Sequence, residues 1–146
     1  MRAGAVVLAA ILVAAACARR PATPVVAGAI PEGLDAFLAA HPLAPGQPVR
    51  AEAIGRSVAA SWHIVQVATA EPPHRHRLHD LSVFVLRGEG ILTLDGRRIP
   101  MRAGDAALIP RDHPHWFVRG GSGPAVTLAV FSPPLDAPDI VPEPAS

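Results

Sequence analysis

The sequence predicts an all-β fold, a single antiparallel sandwich or barrel preceded by one short helix. Three observations lead there. From residue 49 onward, apolar residues recur with period two in short runs. Glycine and proline punctuate those runs at regular intervals. One Asp-Gly pair, Asp95-Gly96, separates two such runs by two residues, the strongest short hairpin signal in the chain.

Taken in order, Pro31 to Ala40 reads as the helix. Leu34, Phe37 and Leu38 fall at i, i+3 and i+4 and make one apolar stripe. His41-Pro42 closes it, because the residue before a proline is driven out of the helical region. Such a helix is expected to cover one end of the barrel, with His41 a polar residue at its end. Strands follow over 49–54, 61–68 and 81–87, the last (LSVFVLR) the strongest in the chain. Further strands, 91–94 and 98–101, flank Asp95-Gly96, and 106–109, 116–119 and 125–131 complete the set. After Pro133 the chain carries Pro134, Pro138, Pro142 and Pro144, too many for a central strand. This tail is expected to wrap the outside.

Everything before the helix has a different character. Residues 5–16 (AVVLAAILVAAA) form an uninterrupted apolar run behind Met1 and Arg2, which reads as an export signal. It is short for a membrane span, which needs about 20 residues. Cys17, the only cysteine, follows Ala14-Ala15-Ala16 and resembles the acylated cysteine of a bacterial lipoprotein signal, though Ala14 stands where a leucine is usual. Ordinary cleavage after Ala16 is the alternative, with Cys17 left as a free thiol. The domain plan is therefore a signal over 1–17, a Pro-rich tether over 18–30, helix and lead-in over 31–48, the barrel over 49–135 and the tail over 136–146. The expected location is the bacterial cell envelope, facing the periplasm, with lipid on Cys17 as the link to the membrane.

A formal charge of +1 with scattered basic residues gives no reason to expect a nucleic-acid partner. Lys, Asn and Tyr are absent altogether; their codons are AT-rich, so a GC-rich genome accounts for this. A lone cysteine excludes an intramolecular disulfide and leaves no thiol within the barrel for catalysis. Gly88-Glu89-Gly90 lacks the third glycine of a dinucleotide loop and follows no βαβ unit. Gly120-Gly121-Ser122-Gly123-Pro124 has Pro where a nucleophile elbow needs glycine.

Chemistry concentrates in the histidines. In a strand, residues two apart share a face, so His74 and His76 can both project inward. His115, beyond the hairpin, can return beside them. Three imidazoles suit a divalent transition metal such as zinc, copper, iron or nickel. Among the other histidines, His63 alternates within a strand and reads as a core or face residue, and His113 as a pocket residue. Phe84 and Trp116 supply aromatic surface for packing or a pocket wall. Arg75, Arg77 and Arg87 read as rim residues, where an Arg near the mouth could alternatively select carboxylate substrates, and Asp105 as a turn residue.

Two stretches carry a family resemblance. PPHRHRLHDLSVFVLRGEGILTLDG, residues 72–96, resembles the first motif of the cupins, and GDAALIPRDHPHWFV, residues 104–118, resembles the second. The resemblance implies a jelly-roll barrel and a metal held by two His and a Glu of the first motif and a His of the second. His74, His76 and His115 match; the Glu does not, because its slot falls on Leu81. Asp80 and His79 are the neighbours that could replace it, although alternation points Asp80 away if Leu81 faces in. The metal could be iron, zinc, manganese, nickel or copper. The functions left open are a metal-dependent enzyme (a dioxygenase, isomerase or hydrolytic enzyme) on a small molecule, a non-catalytic ligand- or metal-binding protein, and a degenerate interaction module. A homodimer is compatible with each.

Overall fold

The computed structural model describes residues 24–27, 30–137 and 139–144. Its frame is two five-stranded antiparallel sheets with a cavity between them. One sheet contains β3 (Val49–Arg56), β4 (Ser61–Val67), β11 (Ala125–Ser132), β6 (Asp80–Arg87) and β9 (Ala106–Ile109), in that spatial order. The other contains β12 (Ile140–Pro142), β5 (His74–His76), β10 (His115–Arg119), β7 (Glu89–Leu94) and β8 (Arg97–Arg102). This is the all-β antiparallel sandwich that the strand pattern predicts, in the jelly-roll form that the family resemblance implies.

Side-chain alternation explains why these segments pair as they do. Val65 and Val67 of β4, Leu81, Val83 and Val85 of β6, and Thr127, Ala129 and Phe131 of β11 all line the interior. Leu92, Met101, Ile109 and Phe117 close it from the other strands. A slip of one residue would turn each set to solvent, so burial fixes the register. The β7–β8 hairpin turns on Asp95 (φ 49°) and Gly96 (φ 76°), with Leu94 opposite Arg97. Both positive values are what the two-residue hairpin turn requires. Gly90 is needed for another reason: a Cβ there would collide with the Phe117 ring and the Val118 carbonyl oxygen.

The helix α1 runs over Leu34–Ala40, three residues shorter than the sequence reading. Gly33, extended at φ −66° and ψ 152°, caps it. Ahead of it, β1 (Pro24–Ala27) and β2 (Ile30–Gly33) pair as an antiparallel ribbon, where a tether and the first helical turn were expected. The β-branched pair Val25-Val26 favours extended backbone, and Gly33 resists a helix interior. Nor does α1 cover an end of the barrel. Leu34 and Phe37 pack on Ile64 and Val126, which point out of the back of the β4–β11 sheet. That sheet is apolar on both faces, and the helix hides the outer one.

The tail is the larger correction. Instead of only wrapping the outside, it adds β12 to the edge of a sheet, with Ile140 opposite His76 and Pro142 opposite His74. Proline is tolerated there because β12 is an edge strand. The leader and Cys17 lie outside the described residues. Among the described residues, no helix is long and apolar enough to cross a membrane.

Candidate metal centre

β5 and β10 bring three histidines to one point of the cavity wall. His74 stands opposite His115 in the register, and His76 is two residues further along β5 on the same face. The ring centroids lie 5.1 Å apart for His74–His76, 4.5 Å for His74–His115 and 5.5 Å for His76–His115. One ligand atom from each falls within 4.8 Å of the others.

The surrounding hydrogen bonds fix which atoms those are. His74 Nδ1 donates to the Pro72 carbonyl oxygen at 2.8 Å, and His115 Nδ1 to the His113 carbonyl oxygen at 2.9 Å. His76 Nδ1 donates to Asp139 Oδ1 at 2.7 Å. A carbonyl oxygen can only accept, and a carboxylate accepts when ionised, so all three Nδ1 atoms carry the proton. Each ring then presents an Nε2 lone pair, the second-shell arrangement typical of metal-binding histidine. His115 Nε2 is buried and has no hydrogen-bond partner among the described residues. A buried lone pair left unpaired is costly, and a metal ion at this point would satisfy it. The residues present therefore fit a divalent transition metal.

Electrostatics favour the same state. Burial pushes His115 down to about 4, against a weaker upward pull from its bond to the His113 carbonyl. Burial also lowers His76, although Asp139 works against it. Both imidazoles are thus neutral at pH 7, as a metal ligand must be. This sets an expected pH dependence for the metal-free protein. An imidazole whose folded pKa is depressed contributes nothing unfavourable above the unfolded value of 6.5. As pH falls from there toward about 4, the unfolded chain takes up a proton that folded His115 refuses, and stability drops. Glu71 acts in the opposite sense, because burial raises its pKa. The diagnostic quantity is therefore a difference between variants. Between pH 7.5 and 5, the melting temperature of metal-free His115→Gln should fall less steeply than that of wild type. Parallel curves would show that His115 is not held neutral by burial.

Neither substitute for the missing Glu reaches the centre. Leu81 faces the cavity and Asp80 faces away, where Arg111 grips it through Nε, Nη2 and its backbone N–H. Those bonds, led by the side-chain contact with Arg111, hold the Asp80 carboxyl down at about 2. His79 is buried but spends both ring nitrogens, on Asp139 Oδ2 and on the Pro134 carbonyl oxygen at 3.2 Å. Of the expected pocket residues, Phe84 is 43% exposed and points out between the inward-facing Val83 and Val85. Trp116 turns away between inward His115 and Phe117, and His113 sits on the surface with its Nδ1 2.6 Å from Asp95. None of the three lines the cavity. His63 does, from the opposite sheet.

Two carboxyls were missed from sequence. Asp139 receives hydrogen bonds from His76, His79 and the Leu78 backbone N–H. Burial alone would raise its pKa, but those bonds outweigh burial and bring it to about 2. Glu71 lines the cavity and accepts a hydrogen bond from the Phe117 N–H at 3.1 Å. Its position three residues before His74, ahead of Pro72-Pro73, was the one available signal.

The family model for the cupin domain matches residues 61–131. An uncharacterized protein of Aquifex aeolicus is 43% identical over 81 residues, covering 56% of this chain and 66% of that protein. The uncharacterized protein MJ1618 of Methanocaldococcus jannaschii is 30% identical over 76 residues, or 52% of this chain and 61% of its own length. The chain thus spans just under two thirds of the curated relatives it matches. Among solved structures, the polyketide cyclase RemF of Streptomyces resistomycificus superposes with a TM-score of 0.58 at 24% identity, covering 68% of this chain and 74% of RemF. Strand order and family model agree over residues 61–131, which match the cupin domain, and the three clustered histidines occupy the inner wall of that jelly roll.

Proposed function

We propose that this chain is an exported, lipid-anchored cupin that holds one divalent transition metal through Nε2 of His74, His76 and His115 and acts on a small molecule in the barrel. The observation that supports it most is the set of three Nδ1 hydrogen bonds. Together they aim three neutral lone pairs at one point and leave His115 Nε2 without any other partner. Three neutral ligands leave the metal's charge uncompensated and positions open, so it would supply Lewis-acid activation of a bound carbonyl or an acidified water. The chain's own contribution is Glu71, the one carboxyl in the cavity lining. Its raised pKa suits it to give or take a proton at a substrate held beside His74. Phe117 N–H fixes the direction in which that carboxyl points. Leu81, standing where the family's metal-binding Glu falls, favours a second reading, non-catalytic binding of a small ligand at the same centre.

Export and anchoring rest on the apolar run ending at Cys17. Growth of expressing cells with a labelled fatty acid tests them. Wild type should take up label and partition with membranes, and Cys17→Ser should do neither. An unlabelled wild type, or equal label in Cys17→Ser, removes the lipid anchor from the proposal.

A further inference from the structure

The cavity walls define what can enter. The space is about 480 Å³, within the roughly 300–1,000 Å³ typical of small-molecule sites. Its lining is overwhelmingly aliphatic and aromatic, with Val65, Leu81, Val83, Leu92, Met101 and Ile109 among the residues that face it. Among the described residues no arginine lines it, although every one of the chain's 13 Lys and Arg residues is arginine. A carboxylate or phosphate placed here would find no cation on the protein wall, and an unpaired charge away from water is strongly disfavoured. Glu71 adds to the exclusion of anions whenever it ionises. A polyol fares little better, because each hydroxyl without a partner loses its hydrogen bonds to water.

Apart from the three clustered imidazoles, the polar side chains of the lining are His63, Glu71 and Thr127. His63 projects from β4, across the cavity from β5 and β10. Its Nε2 lies 2.9 Å from Ser61 Oγ, which also accepts the Leu135 N–H at 2.9 Å, so the ring is held in place. Its Nδ1 has no protein partner among the described residues. The Phe131 ring lies between the two polar ends, edge-on to His63 at 5.2 Å and to His76 at 4.9 Å. Burial lowers the His63 pKa, so the ring offers a neutral hydrogen-bonding atom and no charge.

We infer that the cavity binds a neutral small molecule with an apolar, ring-sized body, one polar atom at the three-imidazole end and a second at His63. The inference rests on the metal reading above only for what stands at the first end; the apolar body and the His63 contact are independent of it. His63 is thereby a specificity-determining residue.

Calorimetry with metal-free protein tests the independent part, using 2-naphthol, naphthalene-2,7-diol, oxalate and glucose as probes. The two naphthalene probes should bind and the other two should not. The diol, with its second hydroxyl, should bind about three- to tenfold more tightly than 2-naphthol, the gain expected of one added neutral hydrogen bond. His63→Leu should erase that difference while still binding 2-naphthol, and His63→Gln, which keeps a donor and an acceptor, should retain part of it. Circular dichroism of each variant establishes that it is folded. Oxalate or glucose binding in preference to 2-naphthol overturns the inference, and a diol advantage that survives in His63→Leu overturns the role of His63. A cobalt(II)-loaded sample separates the two readings. Failure to take up cobalt defeats the metal centre, while naphthol binding to the same metal-free protein still upholds the ligand class. A cobalt spectrum that responds to oxalate and ignores both naphthalene probes overturns the neutral ligand.

Discussion

Replacement of His115 by alanine should abolish stoichiometric metal binding while leaving the barrel folded. His115 is 2% exposed, and its Nε2 is the lone pair with no other partner. Removing it takes one of three ligands and the one most shielded from water. The loss in affinity should exceed the ~10–100-fold typical of residues that touch only the ligands. His76→Ala should behave alike, since His76 is buried on the same face of β5. Strand formation depends on alternating apolar residues that neither substitution touches, so β-type circular dichroism should persist. Metal content per chain, measured by elemental mass spectrometry after purification without an affinity tag, decides the matter. Full occupancy in either variant would remove that residue from the centre.

How far this site could be read from sequence depended on whether its determinants were local. His74-x-His76 needs only strand alternation, and His115 follows once a hairpin closes at Asp95-Gly96. Leu81 was placed inward and Asp80 outward by the same rule, which the structure shares. Applied one step further, that rule would have turned Phe84 outward, three residues from Leu81, and Trp116 outward, next to His115. The helix was legible as a helix, but its docking face was not, because Ile64 and Val126 become a back surface only after β4 and β11 pair. Glu71 matters because β10 closes over it, and no pattern within its own segment reports that contact.

Asp139 is the extreme case, 63 residues from His76 and set in a proline-rich tail without strand periodicity. Nothing near it in the chain resembles a site. Yet its carboxylate is hydrogen-bonded directly to His76. Leu81 contributes no anion, and Asp80 is committed to Arg111, so Asp139 would influence a metal here through the ring of His76. Held at about 2 by its donors, Asp139 is ionised at pH 7. Because its folded pKa is depressed, the stability it contributes is present above 3.8 and is lost as pH falls toward 2. Asp139→Asn keeps the shape and removes the charge, and should lower metal affinity by ~10–100-fold. It should also loosen β12, whose pairing with β5 begins beside this residue, so backbone amides of 140–142 should exchange faster with deuterium. His79→Phe is the control that separates these effects. It removes one of Asp139's three donors while leaving the bond to His76 Nδ1, so β12 should loosen with little change at the metal. If Asp139→Asn and His79→Phe weaken metal binding equally, Asp139 only anchors the tail and exerts no effect of its own through His76.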